Sequence, residues 1–516
     1  APEPIKPAPE PVATEFDNLR SKLSEPVKEY RKPHRSYKLL LGLLILVVLI
    51  AAAGTAAVVL TRPPDTTNVV AAPSVVPTST ETPTVTPTPS ITPTRFPATW
   101  TPTPPPTPRP TRTPTPPPTL DADQTTQLQP LEQALAELRG LSASEQPTRY
   151  RVSLDQIEPI LTNLLRTNDL LDALPDRARV LSALGLINPA YNLTRYTLNT
   201  HLDPTGSFYS PWTRAIYVTD NPVTGVEHQA YTLAAARALL DLALSFENTQ
   251  AYPQCTLDTQ ACQAIRAFIT GDANVAAQQW LRQSASAQDR NDVAAAQIPD
   301  LPLPDDLAPA FVLRDVNFAR EAGTAFVQAL YQRGSWARIN QVYDALPQST
   351  EQILHPEKYL ANEQPIELVA VALTETLGAD WQIIANDVLG EWHTDLLLSA
   401  SANDQQRIPA EAARSAARGW GGDTLQAYYN AKTNEAVLAV AWTWDSVADA
   451  REFNLALSAY LDLRFNGAKT PTKDGGCWQS TPEAACLYTR DRNTLWLLAP
   501  RQSQVDAVKT AYTAFP

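Results

Sequence analysis

The sequence predicts an α+β protein, mostly helical with β-hairpins, that is preceded by one transmembrane helix and a disordered Thr/Pro-rich stalk. Three observations lead to this fold class. Beyond residue 120, apolar residues recur at helical spacing in long segments, and shorter segments alternate apolar and polar residues as strands do. Residues 39–60 carry no charge. Of the 47 prolines, 19 lie in residues 61–120.

The uncharged segment LLLGLLILVVLIAAAGTAAVVL is long enough to cross a membrane. As a helix it extends about 33 Å, which matches the hydrocarbon core of a bilayer. A buried core helix is a weaker interpretation, because core helices rarely stay apolar on all sides over this length. A cleaved signal peptide fits poorly, since 38 residues precede the segment. We therefore expect an uncleaved signal-anchor at residues 39–60.

Flanking charges predict the orientation of this anchor. Arg31, Lys32, Arg35 and Lys38 come directly before it, and only Arg62 follows closely. Because positive residues stay on the inner side, the N-terminus is predicted to be cytoplasmic and the C-terminal domain to lie outside the cytoplasmic membrane, on the cell surface.

Two segments next to the anchor are predicted to be disordered. Residues 1–38 are rich in proline and charge and too short to bury a core, so we expect a short cytoplasmic tail. Residues 61–120 contain repeats such as TPTVTPTPSITPT and favour an extended polyproline II chain. We expect this stalk to space the outer domain from the membrane by up to about 180 Å.

The outer part of the chain is acidic. Residues 121–516 contain 46 Asp and Glu against 29 Lys and Arg. Because phosphate binding needs clustered cations, this balance argues against a nucleic-acid partner. It also disfavours adhesion of this part to anionic lipid. The membrane is therefore a predicted partner through the anchor helix alone.

Within residues 121–516 the apolar periodicity predicts long helices, and period-two alternation around turn residues predicts strands. Helices are predicted at Gln127–Leu141, Leu154–Arg166, Leu170–Leu186, Tyr231–Phe246, Ala261–Ala285, Asp315–Gly334, Val447–Leu463 and Ser503–Thr513. Strands are predicted at Tyr150–Ser153, in a hairpin over 206–219, in a second hairpin of Thr424–Asn430 and Ala436–Trp444, and at Ala485–Thr489 and Thr494–Ala499.

This pattern divides the outer part into a helical domain, 121–360, and an α+β subdomain, 361–516. Gly419-Trp420-Gly421-Gly422 precedes the second hairpin and lacks the spacing of a phosphate-binding loop. We interpret it as the turn that enters that hairpin.

The four cysteines are predicted to form two disulfides. Proximity along the chain pairs Cys255 with Cys262 and Cys477 with Cys486, although four cysteines allow three connectivities. A location outside the cell favours their oxidation. No C-x-x-C spacing or cluster with histidine points to a metal site at these thiols.

Several segments, in this order, resemble a family of membrane-anchored extracytoplasmic bacterial proteins that carry a gluzincin-type zinc metallopeptidase domain. The resembling segments are SALGLINPAYNL, GSFYSPWTRAIYV, TLAAARALLDLALSF, AIRAFITGDANVAAQQWL, AFVQALYQRGSWARINQVYDALPQSTEQILHPEKYL, ARGWGGDTLQAYYN and AVAWTWDSVADAREF. They cover most of residues 121–516, and the resemblance implies the peptidase-like fold.

The resemblance also implies where a zinc site belongs. The family has H-E-x-x-H on the helix after the first hairpin, with two zinc-binding His and a Glu base, and a third ligand Glu on the next helix. Those positions fall here on Leu233, Ala234 and Arg237, and on Thr270. Because Leu and Ala cannot bind a metal and Arg repels one, the resemblance implies a degenerate pseudopeptidase without catalytic residues, metal or cofactor.

Arg237 lies within an otherwise apolar helix and needs a carboxylate partner if it is buried. Asp241, one turn along, and Asp272, on the following helix, are the candidates. We predict that a pair of Arg237 with Asp272 or Asp241 replaces the metal as the link between the two helices.

The spacing of the other histidines along the sequence does not indicate a catalytic site. His201, His228, His355 and His393 lie far apart, and no G-x-S-x-G segment accompanies them. We interpret each as an exposed or hydrogen-bonded structural histidine.

The function that fits these observations is a non-catalytic extracytoplasmic module that binds a peptide or protein partner or has a structural role in the cell envelope. The alternative is an active hydrolase or peptidase with a displaced site. A sensor is disfavoured by the short cytoplasmic tail. An open cleft beside the hairpin edge at Phe208–Val218 would favour peptide binding by strand addition, and a filled cleft would favour the structural role.

Overall fold

The computed structural model describes residues 117–513, except 203–206, 220–224, 245–258, 297–307 and 468. The predicted cytoplasmic tail, the anchor at residues 39–60 and all but the last few residues of the stalk lie outside the described residues. Among the helices that the structure describes, none combines the length and the apolar character needed to cross a bilayer. The described residues belong to one compact unit.

The N-terminal part of this unit is mostly helical. In chain order it contains α1 (Ala122–Arg139), β1 (Thr148–Val152), α2 (Leu154–Thr167), α3 (Leu174–Ala183), α4 (Leu193–Asn199), β2 (Phe208–Ser210), β3 (Ala215–Thr219), α5 (Gly225–Leu244), α6 (Thr259–Gln283), α7 (Ala287–Ala295), α8 (Ala310–Tyr331), α9 (Ser335–Val342), α10 (Thr350–Leu354) and α11 (Pro356–Leu360). The predicted long helices are present with shifted ends. The short helices were not predicted, because so few turns give little periodicity.

Local signals explain where α1 begins and ends. The Asp121 carboxylate accepts a hydrogen bond from Gln124 N at 2.8 Å, and the Gln124 side chain accepts one from Asp121 N at 3.3 Å. This capping box satisfies backbone donors of the first turn. Gly140 ends the helix with a φ of +63°, a left-handed conformation that glycine adopts readily.

Helices α5, α6 and α8 form the centre of the N-terminal part. Helices α6 and α8 cross where Gly271 faces Gly323. A Cβ atom at Gly271 would overlap the carbonyl oxygen of Gly323, and one at Gly323 would overlap that of Ala267. The two helix backbones are therefore in contact, and this close approach requires glycine at both positions.

A three-stranded sheet, in the order β1-β3-β2, packs beside these helices. The predicted first hairpin is confirmed: β2 and β3 pair antiparallel, with Phe208 opposite Tyr217. Strand β1 joins β3 in parallel, a pairing that the sequence did not indicate. Helices α2–α4 and β2 separate the two strands along the chain, as a parallel connection requires.

The C-terminal part is built on a larger sheet. In chain order it contains α12 (Thr374–Leu377), β4 (Gln382–Asp387), α13 (Gly390–Ser399), α14 (Ala410–Ala417), β5 (Trp420–Asn430), β6 (Glu435–Trp444), α15 (Val447–Arg464), β7 (Lys469–Thr472), β8 (Gly475–Ser480), β9 (Glu483–Arg490), β10 (Asn493–Ala499) and α16 (Gln502–Ala511). The seven strands lie in the order β4-β5-β6-β10-β9-β8-β7 and pair antiparallel. The predicted second hairpin and the strands at β9 and β10 are confirmed, and so is the α+β class.

Both faces of the middle of this sheet are buried, and successive side chains of β6 point to opposite sides. In β6, Leu438, Val440 and Trp442 belong to the core on one face. Val437 and Ala439 belong to a second core on the other face. Helix α15 belongs to the first core and α16 to the second, so helices cover both sides, which explains why residues 436–442 of β6 are all apolar.

The cysteines are oxidised as predicted where the structure describes them. Cys477 and Cys486 are opposite each other in β8 and β9 and form a disulfide. Cys262 is also disulfide-bonded. Cys255, its predicted partner, lies outside the described residues.

The glycines at 419–422 mark a close backbone approach as well as a turn. Gly419 has a φ of +81°, but Trp420–Gly422 already belong to β5. A Cβ at Gly422 would overlap the carbonyl oxygen of Ile366, and Ile366 N donates to the Gly421 carbonyl at 2.7 Å. The segment that joins the two parts of the unit thus crosses over the start of β5.

We expect Gly323→Ala to lower the free energy of unfolding by about 3 kcal/mol, because the added Cβ forces the α6 and α8 backbones apart. Gly140→Ala is the control, since no atom lies within 4 Å of its Cβ position and only the left-handed backbone costs about 1 kcal/mol. Urea unfolding measures both. Equal losses at the two positions would contradict the close helix crossing.

Candidate functional site

A cavity of about 600 Å³ lies between the helices of the N-terminal part and β4 of the C-terminal part. Residues of α3, α4, α5, α6 and α8 line it on one side. Ile384–Asp387 of β4 and Leu425 of β5 line it on the other. Its volume is in the range of pockets that bind small organic ligands, and such pockets are common where two parts of a protein meet.

Two of the four positions that the resemblance predicts as a degenerate zinc site line this cavity. They are Arg237 on α5 and Thr270 on α6. Leu233 is half-buried and packs against the helical core, and Ala234 is buried within it. The structure therefore brings the positions on α5 and α6 together only in part. Among the four side chains, only the weakly ligating hydroxyl of Thr270 is a possible metal donor.

The carboxylate of Asp272 does not bind Arg237. It accepts hydrogen bonds from Arg139 at 2.8 and 2.9 Å and from Tyr343 Oη at 2.8 Å. The side chains of Arg139 and Asp272 are at most 1% exposed. The predicted Arg237–Asp272 pair is therefore wrong, because a buried cation from α1 already neutralises this carboxylate.

Arg139 was not found from the sequence because it comes from 133 residues earlier and lies in the last turn of α1. A basic residue there is ordinary, since it favours the negative end of the helix dipole. The other predicted partner, Asp241, accepts a hydrogen bond from Tyr209 Oη at 2.7 Å. The Arg237–Asp241 pair stays a prediction.

Arg177 on α3 is the first of three arginines that line the cavity. Its Nη2 donates to Tyr196 Oη at 2.9 Å, and its guanidinium carbon lies 5.1 Å from the centre of that ring. Burial opposes ionisation of Arg177, but Tyr196, Asp315 and Asp387 raise its pKa. Within the described residues Arg177 has no carboxylate at ion-pair distance. The charged guanidinium of Arg177 thus lies against Tyr196, and both residues line the cavity.

Arg266 on α6 and Arg237 on α5 are the other two arginines. Nη2 of Arg266 donates to His201 Nε2 at 2.9 Å. Because arginine has no acceptor, Nε2 of His201 carries no proton, and Nδ1 donates to the Thr197 carbonyl at 2.9 Å. Burial, together with the nearby Arg266 and Arg237, lowers the pKa of His201 to about 3. His201 is therefore a neutral side chain beside the cations Arg266 and Arg237.

Asp315 on α8 is the most fully bonded carboxylate at the cavity. Its Oδ1 accepts from Gln263, from Trp392 Nε1 at 2.8 Å and from His393 Nε2 at 3.0 Å. Its Oδ2 accepts from Tyr196 Oη at 2.5 Å. Although burial opposes ionisation, these donors and the positive charges nearby hold the pKa of Asp315 well below its usual range. Asp315 is thus an ionised structural group whose acceptor sites are occupied.

The other inner carboxylate, Asp387 at the end of β4, is also occupied. It accepts from Thr259 N at 2.9 Å, from the Thr259 hydroxyl and from Val388 N at 2.8 Å. Asp176, which lines the cavity from α3, pairs with Arg179 at 2.5 Å. Asp169, the fourth carboxylate that lines the cavity, is exposed. Asp176, Asp315 and Asp387 are bonded to donors of the protein itself, and Arg177, Arg237 and Arg266 are the cations of the cavity.

Of the three cavity arginines, Arg237 was already singled out in the sequence, and Arg266 carried a signal that was available there. Arg266 precedes Thr270 by four residues, so both lie on one face of α6. The ligand position predicted at Thr270 could therefore have drawn attention to Arg266. Arg177 and β4 carried no such signal, because they come from other parts of the chain.

Among the residues that the structure describes, one acidic group has the spacing of metal ligands: Glu351, Glu363 and Asp445. The Lys358 ammonium lies among them, at 2.6 Å from Glu351 and 2.7 Å from each of the other two. An internal cation thus already balances these carboxylates.

The remaining histidines also bond to carboxylates. His228 lies 2.8 Å from Asp289, and His355 lies 2.9 Å from Glu391. His393 reaches Asp315 as described above. These contacts agree with the structural interpretation of the histidines.

The predicted hairpin edge does not border the large cavity. The hairpin of β2 and β3 contributes none of the described residues around it. Phe208–Trp212 instead line a separate space of about 10 Å³, smaller than a ligand needs. The edge strand at the large cavity is β4.

Comparison with known proteins gives one match. The family model of a domain of unknown function (DUF8575) matches residues 380–509. The match begins at β4, includes the whole seven-stranded sheet and ends within α16. No curated protein matches the chain, and no solved structure does. The cavity thus lies between the matched segment and the helices that precede it.

We expect Asp315→Ala to lower the free energy of unfolding by at least about 3 kcal/mol, because four donors lose their buried acceptor. Asp344→Ala, at an exposed carboxylate in the same part of the protein, should change it by less than about 0.5 kcal/mol. Chemical denaturation of both variants checks this. A small effect at Asp315 would show that the cavity wall does not depend on it.

His201 predicts a dependence of stability on pH. Its pKa is about 3 in the folded protein and about 6.5 in an unfolded chain, so between these values only the unfolded state binds a proton. The contribution of His201 to the free energy of unfolding is therefore fully present above pH 6.5, and it is lost as the pH falls toward 3. We expect His201→Gln to show a smaller fall in melting temperature from pH 7 to pH 4.5 than the wild type. Parallel curves would contradict the lowered pKa.

Proposed function

We propose that this protein is a membrane-anchored, extracytoplasmic, non-catalytic module that binds a carboxylate-bearing ligand in the cavity between its two parts. The observation that supports this most is the convergence of Arg177, Arg237 and Arg266 on one cavity of about 600 Å³. A guanidinium presents several donors in a plane, which suits the two oxygens of a carboxylate.

Neutral side chains lie among the arginines that would bind the anion. Tyr196 lies near both Arg177 and Arg266, and burial raises its pKa although both cations oppose this. His201 stays neutral beside Arg266 and Arg237. The neutral ring of His201 thus lies beside Arg266 and Arg237, and a bound carboxylate would accept hydrogen bonds from the guanidinium groups that line the cavity.

The groups at the cavity suit binding better than catalysis. Both ring nitrogens of His201 are engaged, and Asp315 accepts four hydrogen bonds. A general base needs a free acceptor at a pKa near the working pH, and neither group offers one. Together with the degenerate positions Leu233, Ala234, Arg237 and Thr270, this supports a pseudoenzyme. The alternative of a hydrolase or peptidase would need a site elsewhere.

The location of the module is inferred from the N-terminal sequence. Residues 39–60 have the length and composition of a signal-anchor, and the basic residues before it favour an inner N-terminus. The Thr/Pro-rich stalk at 61–120 would place the cavity away from the membrane surface. The oxidised cysteines agree with an oxidising compartment.

We expect succinate or glutarate to bind the purified protein and Arg177→Gln to weaken that binding at least about tenfold, because a charge-assisted hydrogen bond is lost. Arg179→Gln is the matched control. It lies on the same helix, pairs with Asp176 and packs on Tyr429, but does not line the cavity. Isothermal titration calorimetry measures both variants.

The uncharged analogues succinamide and glutaramide are the ligand controls and should bind at least tenfold more weakly than the acids. Equal binding of acids and amides, or equal effects of the Arg177 and Arg179 variants, would contradict a carboxylate site in this cavity.

A further inference from the structure

We infer that the ligand is an extended peptide that adds as a strand to the free edge of β4 while one of its carboxylates binds the arginines. This inference rests on the proposed function and names the class of ligand. The shared chemistry is a peptide backbone with a carboxylate, supplied by the C-terminus or by an acidic side chain.

Strand β4 is an end strand of the seven-stranded sheet. It pairs with β5, and no backbone hydrogen bond beyond that pairing involves residues 383–386 within the described part of the chain. In an antiparallel pair alternate residues direct their N–H and C=O groups away from the neighbouring strand. Four consecutive residues of β4, Ile384–Asp387, line the cavity. Among the described residues this edge is thus unpaired, and the strand lies beside the space that a ligand would fill.

The two end strands of the sheet differ in whether they contain residues that prevent pairing with another chain. The far end strand, β7, contains Lys469 and Pro471 and is exposed. A lysine and a proline are common devices that stop an edge from pairing with another chain. Strand β4, with the sequence QIIAND, contains neither. It has a bulge between Ile383 and Ala385 on its β5 side, a feature that bends a strand and is common beside sites.

The arginines lie within reach of a peptide on this edge. Asp387, the last residue of β4, is close enough to Arg177 to favour its charged form. Helix α3, which carries Arg177, packs on β4, and both elements line the cavity. The four residues of β4 at the cavity extend about 13 Å, so a peptide of four or five residues matches the edge. The pairing holds the backbone, and the arginine fixes the register through the carboxylate.

The test uses the full protein and the β-prone probe acetyl-Ala-Val-Thr-Val-Ala with a free C-terminus, measured by isothermal titration calorimetry. Two arms vary its carboxylate: the same peptide as its C-terminal amide, and an amidated peptide with Glu in place of Thr. We expect at least one carboxylate peptide to bind tenfold or more tightly than the amide without Glu. Arg177→Gln should remove that difference, and Arg179→Gln should keep it.

Two further arms test strand addition directly. One peptide is N-methylated at the second and fourth residues, and the other at the third and fifth. Because only alternate N–H groups of a strand face its neighbour, we expect one set to lose binding at least tenfold and the other to stay within about threefold. Equal binding of both N-methylated peptides would overturn strand addition.

The outcomes separate this inference from the proposed function. If succinate or glutarate binds through Arg177 but the N-methyl sets behave alike, the carboxylate site stands and the peptide inference fails. If neither the dicarboxylates nor the peptides bind, both fail. Cleavage of the probe, seen by mass spectrometry after incubation, would overturn the non-catalytic role and support the hydrolase alternative.

Discussion

The buried carboxylate of Asp315 is the contact on which the cavity depends. It receives donors from α4, α6 and α13, and so it joins helices of the N-terminal part to a helix of the C-terminal part. Helix α13 is held in turn by Asp423 of β5, which accepts from Leu389 N and Gly390 N at 2.8 Å each. Because a buried charge is costly without its donors, these elements cannot separate independently. The cavity keeps its shape for the same reason.

The helical part also contains a buried ion pair that joins two of its helices. Arg139 and Asp272 connect α1 to α6, and Tyr343 completes the acceptor. Ala234 belongs to the apolar core between helices, and the close crossing of α6 and α8 depends on glycines. The Arg139–Asp272 pair therefore joins α6 to α1, packing joins α6 to α8, and Arg237, Arg266 and Thr270 line the cavity.

The position of the cavity explains why its polar groups come from many elements. The segment matched by the family of unknown function supplies one wall through β4, and the preceding helices supply the arginines. A sheet edge offers unpaired backbone groups, and helices offer long side chains. Where the two meet, backbone donors and acceptors lie beside fixed positive charge. The peptide ligand proposed above would use both, through its backbone and its carboxylate.

The sequence alone determined the α+β class, the long helices, both hairpins and the Cys477–Cys486 disulfide, because periodicity, turn residues and chain proximity are local properties. Only the tertiary structure decided that Asp272 binds Arg139, that β1 pairs with β3 and that β4 becomes an edge strand. It also decided that Arg177 meets Arg266 at one cavity. The physical reason is that the partner of a charged side chain or a strand edge depends on how elements distant in sequence pack, and no local pattern records that packing.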